Sequence, residues 1–187
     1  MTKVLGISGS LRRGSYNSAL LRAATGLMPE GATLEVASIR GIPLYDGDIE
    51  AQGIPASVSQ LKEAIVSADG VLLVTPEYNN SIPGVFKNTI DWLSRPNTDA
   101  RRVFGGRRIA IIGASPGPFG TIMSQSAWLP VMRTLGVQLW TGGRLMVARA
   151  SNVFDEGGTL KDAAIAEALK QFLSGYVAFL RHTPPAA

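Results

Sequence analysis

Two hydrophobic patterns alternate along this chain. Val4–Ile7, Val71–Val74 and Ile109–Ile112 are short apolar runs, as expected of strands covered on both faces of a parallel sheet. Thr33–Ile39 alternates apolar and polar residues, as a half-exposed strand does. Val137–Trp140 and Leu145–Val147 are shorter strand candidates. Between these runs the period lengthens to that of a helix. Ser15 to about Leu27 places Leu20, Leu21, Ala24 and Leu27 on one face, and Pro55–Ala68 does the same with Val58, Leu61, Ile65 and Ala68. Val85–Leu93 aligns Phe86, Ile90 and Leu93, and Thr159–Leu180 aligns Ile165, Leu169, Phe172, Leu173, Tyr176 and Leu180. Thr121–Leu135 is a further helix in which Pro130 predicts a kink or a break.

Strand–helix alternation of this kind predicts an α/β fold, a doubly wound three-layer α/β/α sandwich. Five β–α units favour a five-stranded parallel sheet in the flavodoxin-like order 2-1-3-4-5, which binds ligands beyond the C-terminal strand ends. The 187 residues read as one domain, 1–187, with Thr183–Ala187 as a frayed tail.

Composition narrows the chemistry. There is no cysteine and one histidine, His182, so thiolate chemistry, disulfides, a histidine metal cluster and a Ser-His-Asp triad are not expected. No apolar run reaches membrane-spanning length, and no signal core follows the N-terminus, so a cytoplasmic protein is expected. The net charge of +4 favours anionic ligands. The arginine pairs Arg12-Arg13, Arg101-Arg102 and Arg107-Arg108 are scattered without interleaved aromatics, so nucleic acid is not the expected partner.

Three loops follow the strands that this order makes neighbours. The first, Ser8–Ser18, is rich in hydroxyls and glycine and runs into a helix. Backbone N–H groups converge at such a junction, and the helix dipole favours an anion there. Gly9 and Gly14 have P-loop spacing, but Ser15 stands where the lysine belongs. The G-x-G-x-x-G of a dinucleotide fold is broken at Ser8 and Leu11. What remains suits a single terminal phosphate, and reads equally as a polar turn before a capped helix.

The second loop, Thr75–Gly84, sets prolines around Tyr78 and Asn79, and the third, Gly113–Thr121, has three glycines and Ser115. Stiff proline backbone and bare glycine backbone both let a flat heterocycle approach. Taken singly, each also reads as an ordinary loop. Together, the three loops describe a mononucleotide with a large flat ring, and flavin mononucleotide (FMN) fits better than NAD, which needs a second phosphate site.

In these blocks the chain resembles the NADPH-dependent FMN reductases, which include bacterial quinone, chromate and azo-dye reductases. The resemblance rests on G-S-L-R-x-G-S-x-N at Gly9–Asn17, P-E-Y-N at Pro76–Asn79, P-G-x-x-K-N-x-I-D-W-L-S-R at Pro83–Arg95, and S-x-G-x-x-G at Ser115–Gly120. It implies that Ser10, Arg12, Ser15 and Asn17 hold the phosphate with Ser18, and that Tyr16 belongs to the same cofactor-binding set. It implies that Pro76, Glu77, Tyr78 and Asn79 line the ring, and that Ser115, Gly117 and Gly120 close its other side. Lys87, Asn88, Asp91, Trp92 and Arg95 would lie on a helix near a subunit contact. The family often continues G-G-x-R-x-Q; here Gly120–Gln125 carries Thr121 and Met123 in place of the second glycine and the arginine.

The implied activity is transfer of two electrons from NADPH or NADH through FMN to a quinone, azo dye, metal oxyanion or free flavin. The flavin carries the chemistry, so no side chain is expected to be catalytic and no metal is expected. A homodimer or homotetramer is expected, because one small sheet edge rarely encloses a flavin ring. A flavodoxin-type electron carrier is the alternative, with the basic charge against it. Glu77 reads as a group that positions flavin or a partner subunit, or as an exposed carboxylate. Lys87–Asp91 reads as an exposed ion pair, and Trp92, Trp128 and Trp140 as core or interface anchors. Asp46 and Asp48 read as part of a substrate-facing loop.

Overall fold

A computed structural model describes residues 1–182; the tail expected at Thr183–Ala187 lies outside the described residues. The elements in order are β1 (Thr2–Ser8), α1 (Tyr16–Gly26), β2 (Ala32–Ala37), α2 (Gly47–Gln52), α3 (Ala56–Ser67), β3 (Gly70–Val74) and α4 (Gly84–Leu93). They continue with α5 (Ala100–Phe104), β4 (Arg108–Ala114), α6 (Ile122–Thr134), β5 (Gln138–Leu139), β6 (Met146–Val147), α7 (Ala150–Val153) and α8 (Ala163–His182).

The sheet runs β2-β1-β3-β4-β5, and every pairing in it is parallel. This is the expected flavodoxin-like order, with one correction to the strand count. A sixth strand, β6, also pairs with β4, at Gly113↔Met146 and Ala114↔Val147, beyond the Arg108↔Gln138 and Ile109↔Leu139 pairs of β5. The last edge is therefore one strand interrupted in the middle. The chain leaves β4 after Trp140, whose N–H donates to Ile109 O, and returns where Gly113 N–H donates to Leu145 O. Trp140 anchors the excursion edge-to-face on Phe172 of α8, with ring centroids 4.6 Å apart.

Continuous apolar strands are needed because both faces are covered. Leu72 and Val74 point to one side, where they join Leu20 and Leu21 of α1 and Leu169, Phe172 and Tyr176 of α8. Val71 and Leu73 point to the other, where they join Val58, Leu61 and Ile65 of α3, Phe86 and Trp92 of α4, and Trp128 of α6. Burial of these side chains contributes on the order of 2 kcal/mol each.

Of the kink or break expected at Pro130, helix α6 shows no break and runs on to Thr134. Pro130 and Ser126 are both exposed, so the carbonyl that loses its proline N–H partner faces water rather than the core. Helix α8 starts at Ala163 rather than near Thr159. Asp162 Oδ1 accepts the Ile165 N–H at 3.0 Å, as an N-cap does, and Leu160 is drawn into an isolated bridge with Phe154. The short helices α2, α5 and α7 carry no sequence pattern long enough to announce them.

Candidate functional site

Parallel register brings three strand ends level. Ser8 pairs with Val74, and Val74 with Ile112, so the loops after β1, β3 and β4 emerge side by side. All the residues singled out in the sequence for cofactor contact lie on these loops or on the first turn of α1.

Ser15 caps α1, its hydroxyl oxygen accepting the Ser18 N–H at 3.3 Å. Ser10 Oγ accepts the Arg12 N–H at 3.3 Å, and the Ser8 and Ser18 hydroxyls are 3.1 Å apart. Each serine at 10 and 15 therefore keeps its hydroxyl hydrogen for another acceptor. Among the described residues, the N–H groups of Ser15, Tyr16 and Asn17 have no acceptor. They are the orphan donors of a helix start, on the same loop and first turn as those hydroxyls. The Arg12 guanidinium lies over the Tyr16 ring, 5.7 Å from its centroid, and Tyr16 stacks on Phe154 at 5.9 Å. Arg12 is thus an exposed cation steadied on an aromatic platform.

One member of the phosphate set is corrected. The Asn17 side chain is buried and turned into the protein. Its Nδ2 donates to Ala114 O at 2.8 Å, and its Oδ1 accepts the Ala114 N–H at 2.9 Å. This two-way clamp ties α1 to the end of β4 and leaves Asn17 only its backbone N–H to offer a ligand.

The second loop is held at its base. Thr75 Oγ1 lies 2.9 Å from Ser124 Oγ and accepts the Trp128 indole N–H at 3.0 Å. Pro76 is buried. Tyr78 and Ser81 bond reciprocally around Asn79 and Asn80, at φ 49° and 58°, the left-handed pair that a two-residue type I′ turn requires. Tyr78 is 51% exposed at its rim. Glu77 is not the free, exposed carboxylate that one reading made it. It is half-buried, and its Oε2 accepts the N–H groups of Met123 and Ser124 at 2.9 and 3.0 Å, capping α6 from a neighbouring loop.

The third loop closes on itself. The buried Ser115 hydroxyl donates to Gly120 O at 2.5 Å, and Gly117 O accepts the Arg149 N–H at 2.9 Å. Gly120 sits at φ 64°, where a Cβ would come within 2.8 Å of the Met146 backbone, so a side chain is excluded there. A Cβ at Gly117 would meet nothing closer than Ser115 Oγ at 3.7 Å, which leaves that stretch of backbone open to a ligand. Gly9 is bare for another reason: a Cβ there would strike the Phe86 ring at 2.1 Å. Sequence reasoning missed Thr75, Ser124 and Phe86, which support the loops from below.

Other residues with a sequence expectation lie outside the three loops. Lys87 and Asp91 form an ion pair at 2.7 Å, both about 40% exposed. Trp92 and Trp128 are fully buried, and Trp140 is partly so. Asp46 is a helix cap, accepting the Asp48 N–H at 2.9 Å. Asn88 and Trp92 both donate to Pro43 O, pinning that segment to α4. There the Tyr45 hydroxyl donates to Glu50 at 2.8 Å, which raises its pKa.

Comparison with known proteins bears on this arrangement. The profile of the NADPH-dependent FMN reductase family matches residues 2–152. An NAD(P)H-dependent FMN reductase of Pseudomonas aeruginosa is 46% identical over 96% of this chain and 95% of its own length. A 2-hydroxy-1,4-benzoquinone reductase of a Burkholderia species is 36% identical over 96% of each chain. Among solved structures, the flavoenzyme NAD(P)H:(acceptor) oxidoreductase FerB of Paracoccus denitrificans superposes with a TM-score of 0.86 at 30% identity, covering 97% of this chain and 98% of that one.

Proposed function

The chain belongs to the NADPH-dependent FMN reductase family, and from that premise we propose that it oxidises NADPH or NADH at one FMN and passes both electrons to a quinone. The observation that carries the reading is the meeting, at one sheet edge, of an uncommitted donor cluster (Ser10, Arg12, Ser15 and the N–H groups of residues 15–17) with two self-braced loops. Those donors fit a terminal phosphate, and the open backbone at Gly117 fits a flat ring. Bound FMN supplies hydride acceptance and two-electron delivery.

The residues divide the work. Ser10, Ser15 and Arg12 bind the phosphate, with Ser18 and Tyr16 shaping the cradle and Asn17 contributing its backbone N–H. Pro76, Tyr78 and Asn79 form one wall for the ring, and Ser115, Gly117 and Gly120 the other. Tyr78, exposed at the rim, bounds the nicotinamide and acceptor site. No side chain moves a proton in this scheme. The quinone assignment draws on the Burkholderia benzoquinone reductase, which is matched along nearly its whole length. The function is carried by a single domain in the cytoplasm, as a homodimer or homotetramer in which the partner covers the open side of the ring. Among the described residues, no helix is long and apolar enough to cross a membrane.

An absorbance spectrum of the purified protein, followed by anaerobic titration with NADPH and then NADH, tests the proposal. Flavin bands that bleach with one equivalent of nicotinamide and return on addition of a benzoquinone are the expected result. A colourless protein that binds no FMN, or a flavoprotein that neither nicotinamide reduces, would overturn it.

A further inference from the structure

The loop over residues 75–84 approaches the start of α6 through two side chains. Thr75 does so at the loop base, through Ser124 and Trp128. Glu77 does so further out, where one carboxylate oxygen takes both the Met123 and Ser124 N–H groups. Past Glu77 the loop is held by its own turn, Tyr78 to Ser81, until Pro83 caps α4. Among the hydrogen bonds of the described residues, Thr75 is the only other tether between this loop and α6.

We propose that Glu77 is a positioning residue that sets the separation of the two walls of the flavin site. Pro76, Tyr78 and Asn79 stand on its own loop. Ser115, Gly117 and Gly120 stand on the loop that feeds α6, and Ser115 fixes Gly120 one residue before the Thr121 cap. The carboxylate therefore joins the two walls by a short rigid route through the first turn of α6. Its charge suits that place, because the end of the helix dipole there is positive and the two N–H groups otherwise lack partners. Hydrogen bonds to a charged acceptor are also among the stronger ones available. The role goes to the backbone of residue 123, so a methionine serves where the family often has arginine.

This inference rests on the FMN reading above, and its test separates the two. FMN affinity is measured by fluorescence titration on the full-length protein and on Glu77→Ala, Glu77→Gln and Glu77→Asp variants, with amide hydrogen exchange followed at residues 123 and 124. Glu77→Ala is expected to raise the FMN Kd about tenfold or more and to speed exchange at both amides. Glu77→Gln keeps an oxygen at the same reach and is expected to stay within about threefold of the parent. Glu77→Asp, one methylene short, is expected to follow the alanine variant, and it carries the test if that variant does not fold. A brace with no part in the ring site would lower thermal stability and leave the FMN Kd unchanged, and that result overturns the proposal. Equal weakening in the glutamine and alanine variants also overturns it, because the glutamine oxygen can still join the two walls. A parent protein that binds no FMN overturns the functional reading and this one together.

Discussion

Around the sheet edge, residues 10–17 leave five consecutive backbone N–H groups, those of residues 13–17, and the hydroxyl hydrogens of Ser10 and Ser15 without an acceptor among the described residues. Residues 75–78 and 115–124 do the opposite. Thr75, Glu77, Ser115 and Ser124 bond across or within these two loops, and Tyr78 closes its own turn. Under the proposed function, the difference separates two kinds of task. A loop that grips a charged group must keep donors free, and the helix start makes this tolerable because its orphan N–H groups would face water in any case. Loops that flank a flat ring contribute shape, and shape comes from groups already satisfied by the protein.

The largest expected effect tests that division inside the first loop. The Asn17 side chain belongs to the scaffold, whereas the proposed function gives its neighbours to the grip. Asn17→Ala should cost about 3 kcal/mol of stability, because it leaves the buried Ala114 N–H and C=O unpaired. Chemical denaturation of the apoprotein checks this, and a loss below about 1 kcal/mol would place Asn17 with the ligand-facing residues. Arg12→Ala should behave in reverse. Its exposed side chain contributes within about 0.5 kcal/mol of stability, while the FMN Kd should rise tenfold or more for the lost charge-assisted contact. The spectrum of flavin that remains bound should hardly change.

A cluster in neither region provides a control. The Asp99 carboxyl is held at about 2, below its ordinary 3.8, by hydrogen bonds from Arg102 and then Lys62. A depressed carboxylate stabilises the fold fully above its unfolded value, and that contribution is lost as the pH falls from about 4 towards 2. Asp99→Asn should flatten this acid limb in thermal melts while leaving FMN affinity at neutral pH unchanged. A change in FMN affinity would mean that the sheet edge is not insulated from this cluster. The smallest effect belongs to the second loop. Asn80→Gly relieves a side chain at φ 58° and should stabilise by about 0.5 kcal/mol. A loss of stability would show that the Asn80 side chain is itself part of the wall.

How far the sequence carried the structure depends on what each feature needs. Val71–Val74 and Ile109–Ile112 were legible because a strand covered on both faces must be apolar at every position. The strand order followed from the alternation of elements and a topological rule, and the order places the three loops together. The destinations of Asn17 and Glu77 were not legible. Both bond to backbone groups, 97 residues away at Ala114 and 46–47 residues away at Met123 and Ser124, and a backbone acceptor or donor leaves no mark on residue identity. Pro130 predicted a kink or a break, and exposure of the neighbouring turn makes the break unnecessary. The divided last strand was visible only as two short runs, since two-residue pairings carry no period.

The most direct measurement is the ratio of dissociation constants for riboflavin and FMN on the same apoprotein. The two ligands share the ring and differ in the terminal phosphate, so the ratio isolates what residues 10–17 contribute. If these residues keep their donors free for phosphate, FMN binds at least about a hundredfold more tightly than riboflavin, as several charge-assisted hydrogen bonds would require. Equal affinities would contradict the account.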